Sequence, residues 1–150
     1  MRVIIQRVSE ANVTIANQIK SKIGVGFMIL LGIEHADTDK DIEWLTNKIC
    51  GLRVFSDEND KMNLSIKDID GEILVVSQFT LHAGYKKGNR PSFIKAAPPK
   101  MAISMYEKFV STLEEKLGKP IQTGTFGAMM QVSLTNDGPV TIFMDSQRPE

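Results

Sequence analysis

Gly26-Phe27-Met28-Ile29-Leu30-Leu31-Gly32-Ile33 runs for eight residues without one polar side chain. A strand with one wet face alternates polar and apolar residues, and this run does not. It is too short for a buried helix, so it reads as a strand covered on both faces. Ile73–Gln78 repeats the signal with Ile73, Leu74, Val75 and Val76. Between the two runs, Ile42, Leu45, Ile49 and Leu52 recur at helical spacing, behind Thr38 and Asp41 in the pattern of a capping box. A second helix begins at Pro99 with an apolar face of Ala102, Tyr106, Phe109, Leu113 and Leu117, and Gly118 and Pro120 stop it. Met1–Ser9, Ala11–Ile15, Ile19–Ile23, Arg53–Phe55, Ile121–Thr125, Met130–Leu134 and Val140–Met144 read as further strands. The expectation is one α/β domain over residues 1–150, with helices at about 38–52 and 99–117 beside a mixed sheet. Two helices leave a large apolar sheet face over, and a homodimer is the usual cover. The tail Ser146–Glu150 is expected to be mobile.

Of the 150 residues, 42% are hydrophobic and 24% charged, and the formal net charge is zero. No global field draws such a chain to nucleic acid or to a membrane surface. Cys50 is a lone thiol in a helical pattern and reads as buried. With only His35 and His82 and no Cys-x-x-Cys spacing, the chain lacks the ligand pattern of a zinc site, and no cofactor motif is present. The histidines are expected on the surface or in loops. No apolar run has the length of a membrane helix, and the start of the chain is not a signal peptide, so the expected location is cytoplasmic.

Two motifs stand at the ends of apolar runs. Asn136-Asp137-Gly138-Pro139-Val140-Thr141 carries a hairpin signal in Asp137-Gly138, but Pro139 has no N–H for a ladder. Either the chain turns plainly, or it bulges, or the peptide is cis. A cis Gly-Pro bond would aim two carbonyl oxygens the same way, a pair of acceptors suited to an ammonium group. Ser77-Gln78-Phe79-Thr80-Leu81 ends the second buried run. It is open to three readings: a capped sheet end, a nucleophile with a base, or backbone N–H groups forming an oxyanion hole. No Gly-x-Ser-x-Gly elbow is present, so a nucleophile with a base has little support. Between Glu72 and Glu107 there is no acid, while Lys86, Lys87, Arg90, Lys95 and Lys100 accumulate among Tyr85 and Phe93. Such a stretch is either a solvated loop or a cationic flank for a phosphate-bearing ligand such as an RNA end.

These motifs, with Gln6-Arg7-Val8, Gly88–Phe93, Thr123-Gly124 and Phe126-Gly127-Ala128, make the whole chain resemble the D-aminoacyl-tRNA deacylases. The resemblance implies homodimers of layered α/β/β mixed sheets with active sites at the interface. It implies hydrolysis of the ester between a D-amino acid and the 3′-terminal ribose of tRNA, and removal of glycine mischarged onto tRNA for alanine. The cis Gly138-Pro139 peptide would enter the partner's pocket, hold the α-amino group and exclude L side chains, with Arg7 bracing it. Ser77, Gln78, Phe79 and Thr80 would form the catalytic segment, with the Phe79 and Thr80 N–H groups near the scissile carbonyl. Thr80 is the natural candidate nucleophile. The family mechanism preferred for this chain uses instead the terminal ribose 2′-hydroxyl and backbone groups. Met130 joins the substrate-binding residues, and Lys86, Lys87 and Arg90 would meet tRNA. Met129 stands where relatives often carry an acid. The rivals are a non-catalytic module for tRNA ends or nucleotides, and an L-specific editing domain like that of archaeal threonyl-tRNA synthetase. The intact Asn136–Thr141 motif argues against the latter.

Overall fold

The computed structural model describes residues 1–86 and 88–150. In chain order these form β1 (Arg2–Ile15), β2 (Gln18–Ile23), β3 (Gly26–Gly32), α1 (Asp39–Gly51), β4 (Phe55–Ser56), β5 (Met62–Leu64), β6 (Glu72–Ser77), a 3₁₀ turn (Phe79–His82), α2 (Pro99–Leu117), β7 (Gln122–Thr123) and β8 (Gln131–Asp145). One sheet runs in the order β2-β1-β3-β6-β7, with β8 also paired to β1, and β4 and β5 make a separate ribbon.

β3 pairs antiparallel with β1 and parallel with β6, and β6 pairs parallel with β7. Parallel neighbours need a crossover. α1 supplies the first and α2 the second. Both crossovers step the same way along the sheet, so a common right-handedness puts both helices on one face. Phe27, Ile29, Leu31, Ile73 and Val75 pack there against Ile42, Leu45, Ile49, Phe109 and Leu113. Tyr106 is buried among them and donates its hydroxyl to Val75 O at 2.7 Å. At the start of α1 the Asp41 carboxylate accepts from the Thr38 N–H at 2.7 Å and the Thr38 hydroxyl at 2.9 Å, as the capping pattern anticipates. Gly118 ends α2 with φ +77°.

The opposite face is covered largely by the sheet itself. The first half of β1 pairs with β3 and the second half with β2, and β8 follows β1 with register shifts around Val8. The bend brings Val8, Ala11 and Val13 over Met28, Leu74 and Val76 in a second buried cluster. Near the start of β1 this cover gives out. Ile4 and Leu30 are half-buried there, and Phe143 is 58% exposed.

Several expectations need correction. Neither β1 nor β8 is interrupted, because bulges absorb the polar and Gly-Pro residues that read locally as breaks. Residues 79–82 coil into a 3₁₀ turn where a strand end was expected. Ser146 accepts a hydrogen bond from the Met1 ammonium at 2.9 Å, and Gln147 donates to Asp41 at 2.9 Å, so this part of the tail is tied down. His35 is exposed as expected, but His82 is buried. Cys50 is buried, and burial pushes its thiol pKa up. No described helix is long and apolar enough to cross a membrane.

A Cβ on Gly26 would lie 2.7 Å from both the backbone C and N of Glu72. The β3–β6 pairing therefore requires glycine there. Gly26→Ala is expected to cost about 3 kcal/mol or more in urea unfolding. Gly51→Ala, where a Cβ meets nothing within 4 Å, is expected to be neutral or stabilising.

Candidate active site

The buried residues Leu74, Val75 and Val76 carry β6 to the sheet edge, where Ser77 is half-buried. The Gln78 N–H donates to Leu31 O at 2.8 Å, the last rung before the chain tightens. The 3₁₀ turn then lies against Gly32. A Cβ at Gly32 would sit 2.9 Å from Leu81 Cβ and 3.0 Å from Gln78 O, so the missing side chain makes room for the turn. Arg2 ties the turn down by donating from Nη1 to Leu81 O and from Nε to Asp145 Oδ2, each at 2.9 Å. Burial of Asp145 works against its charge, but the Arg2 hydrogen bond, the Gln147 N–H and the nearby positive charges outweigh it. The carboxyl is held below its ordinary value.

Phe79 is 54% exposed, and its ring meets that of Phe93 edge-on at 5.0 Å. Thr80 is exposed, and its hydroxyl accepts from Gln78 Nε2. Among the described residues, no backbone acceptor meets the N–H of Phe79 or of Thr80. These are the opening donors of a helical turn, which have no partner inside it. Unlike the exposed Thr80, His82 is buried. Its Cδ2 would lie 3.1 Å from a Cβ at Gly32, its Nδ1 is 3.9 Å from Glu34 Oε1, and neither ring nitrogen has a hydrogen-bond partner among the described residues. The site therefore presents backbone donors beside an aromatic ring, without a base on the threonine among the described residues.

The second motif lies at mid-length in β8. The Gly138-Pro139 peptide is cis, and Gly138 has φ +138°. Both residues are exposed, on a tip that is held from below. The Arg7 side chain, only 11% exposed, donates from Nε to Asp137 O at 2.8 Å and from Nη1 to Val54 O at 2.5 Å. The Asp137 carboxylate lies 3.8 Å from the same guanidinium. Asn136 spans the base of the tip, accepting from Val140 N and donating to Thr141 Oγ1, both at 2.9 Å.

One chain does not bring the two motifs together. The 3₁₀ turn sits at Gly32, opposite Arg2, whereas the Gly138-Pro139 tip projects where β8 pairs with Gln6 and Val8. Five residues of β1 separate these levels, roughly 17 Å at about 3.3 Å per residue. Met130 is closer to the first motif. It packs on Gly124, whose N–H donates to Val75 O at 3.4 Å, two residues short of Ser77. Met129 is 91% exposed. Lys86 and Arg90 are exposed in the loop after the turn, and Lys87 lies outside the described residues. Reciprocal hydrogen bonds between Gly84 and Ser92, of 2.7 and 2.8 Å, staple that loop. The sequence reading missed Arg2 and Gly32. The glycine ending an otherwise unbroken apolar run was the available signal for a close approach.

Residues 4–145 match the D-Tyr-tRNA(Tyr) deacylase family, and the chain belongs to that family of hydrolases. Proteins named D-aminoacyl-tRNA deacylase from Flavobacterium johnsoniae, Flavobacterium psychrophilum and Parabacteroides distasonis are 63%, 61% and 59% identical to it, each over the full length of both chains. A solved structure described as c-Myc DNA Unwinding Element Binding Protein superposes with a TM-score of 0.92 at 44% identity, covering 97% of this chain and 98% of that one. A probable eukaryotic D-amino acid tRNA deacylase superposes at 0.79 over 95% and 97%, and at 17% identity it attests the fold alone.

Two outcomes follow from this geometry. Gly138→Ala places a Cβ 2.9 Å from Arg7 Nη2 and from Val140 Cγ2 at a left-handed φ, and is expected to cost about 1–3 kcal/mol and to displace the tip. Paired spectra of wild type and variant would show shifts confined to Arg7 and 136–141. Asp145 has a depressed pKa, so its contribution is present above the unfolded value of about 4 and is lost as pH falls through the folded value. Asp145→Asn is expected to lower stability at pH 7, and the deficit should close toward pH 3 in urea titrations.

Proposed function

We propose that this protein hydrolyses the ester joining a D-amino acid to the 3′-terminal ribose of tRNA. The observation that carries the reading is the pair of N–H groups of the exposed residues Phe79 and Thr80, which meet no backbone acceptor among the described residues, on a turn tied down at Gly32 and by Arg2. Donors already fixed in place can stabilise a carbonyl oxygen as it gains charge, without reorganising at the moment of reaction. Water attacks the acyl carbon, the negative charge collects on the carbonyl oxygen at the two N–H groups, and the C–O3′ bond breaks. The ribose oxygen takes up a proton, giving free D-amino acid and tRNA. The neighbouring 2′-hydroxyl is the group placed to relay that proton. Ser77 and Gln78 position the turn, and Gln78 occupies the Thr80 hydroxyl, which fits a lining role for that side chain.

In this reading the Gly138-Pro139 tip of a second copy completes the pocket, because within one chain the two motifs leave the sheet at levels five residues of β1 apart, roughly 17 Å along the strand. The tip's carbonyl oxygens receive the α-ammonium group, and its bulk rejects an L side chain. A clash rejects a wrong enantiomer more strongly than a lost contact does. Glycine has no side chain to reject, so glycine on tRNA for alanine is also a substrate. Lys86, Lys87 and Arg90 meet the RNA backbone, Met130 shapes the floor beside Gly124, and the site of action is the cytoplasm. The binding-only alternative uses the same surfaces without bond cleavage.

The test is hydrolysis of matched D- and L-tyrosyl-tRNA. Rapid loss of the D ester alone is expected. No acceleration of either ester would leave the binding module, and loss of the L ester would contradict the assigned chirality. Thr80→Val, which keeps the N–H, is expected to stay within about tenfold of wild type, while Thr80→Pro, which deletes it, should lose about 10²–10³ in kcat. Equal, near-complete loss in both would instead support the threonine hydroxyl as nucleophile.

A further inference from the structure

We propose that Asn136 is the positioning residue that sets the height and direction of the Gly138-Pro139 tip, and that discrimination between D and L esters depends on it. The inference rests on the function proposed above and assigns a further residue to it. Along the β1–β8 ladder, Gln6 pairs with Thr141 and Val8 with Asn136. A five-residue step on β8 therefore faces a two-residue step on β1, and the surplus chain must project. Projecting chain loses its ladder partners, so the part-buried Val140 N–H needs another. The Asn136 side chain supplies the replacement. Its Oδ1 accepts from Val140 N, just after the tip, and its Nδ2 donates to Thr141 Oγ1, where the ladder resumes. Gln6 Nε2 also donates to that hydroxyl, at 3.4 Å, which fastens the clip to β1.

Arg7 and Asn136 divide the work. Arg7 grips the ascending side through Asp137 O, and Asn136 closes the descending side through Val140 N. Arg7 alone would leave Pro139 free to swing about its hold on Asp137. A wall that swings admits the wrong enantiomer before it loses the right one. Removing the clip should therefore act first on selectivity and only secondarily on stability, because Gly138 and Pro139 are themselves exposed.

The measurement is kcat/KM for D- and L-tyrosyl-tRNA with wild type, Asn136→Ala, Asn136→Asp and Thr141→Val, alongside thermal unfolding of each. Asn136→Ala is expected to reduce the D-to-L ratio by about tenfold or more, the worth of one to two hydrogen bonds. Asn136→Asp retains the acceptor for Val140 N, and the Thr141 hydroxyl can rotate to donate to it, so it should keep the ratio within about threefold. Thr141→Val, which removes only the outer link, should lower the ratio by less than Asn136→Ala, and it carries the test should Asn136→Ala fold poorly. A wild-type ratio in Asn136→Ala, or in Thr141→Val if the former does not fold, would overturn the proposal. So would a loss of rate that falls equally on both enantiomers and tracks the melting temperature. Failure of the wild-type enzyme to favour the D ester would overturn the underlying reading instead.

Discussion

The structure depends on burying β3 on both faces. Its apolar run has no side on which water is tolerable, and this one demand organises the molecule. One face is met by α1 and α2, which the parallel pairings to β6 and β7 force to the same side. The other is met by the sheet bending over itself at Val8, so that Val8, Ala11 and Val13 close onto Met28, Leu74 and Val76. The bend requires bulges in the β1–β8 ladder, and one of these carries Gly138-Pro139 outward. The parallel strand beside β3 ends at Ser77, where the chain turns sharply under Gly32. Both elements of the candidate site are thus by-products of covering one strand.

Legibility in the sequence followed the range of the forces involved. The apolar runs of β3 and β6, the helix faces, the Thr38–Asp41 cap and the Gly118 stop depend on residues close in the chain, and each was readable. Strand continuity was not. Glu10 and Gly138-Pro139 look locally like ends, and only pairing with a distant strand carries β1 and β8 through them. The burial of His82 is likewise tertiary, since it comes from Gly32 and Glu34, which are distant in the chain. The motifs themselves pointed to a site built from backbone, because neither offered a nucleophile with a base. Their roughly 17 Å separation along β1 could not be read, since it depends on where each projects from the folded sheet.

This separation gives the account its shape. The donors at Phe79–Thr80 and the braced tip at Gly138-Pro139 are each exposed and each tied down, and in the proposed reading each completes its pocket with the other element of a second copy. Apolar surface is left uncovered near Ile4, Leu30 and Phe143, which is 58% exposed. Chirality in this scheme is set by a wall whose position is determined by Arg7 and Asn136, so the reaction tolerates varied side chains while rejecting one hand.

The most direct test of a pocket shared between copies is complementation. Thr80→Pro lacks the donor, Gly138→Ala misplaces the tip, and each alone should be nearly inactive on D-tyrosyl-tRNA. Mixed, unfolded and refolded together, they should regain a substantial fraction of wild-type activity, because a mixed pair contains one site with an intact donor from one chain and an intact tip from the other. Activity no greater than the sum of the separate variants would contradict the account and place the whole site within a single chain.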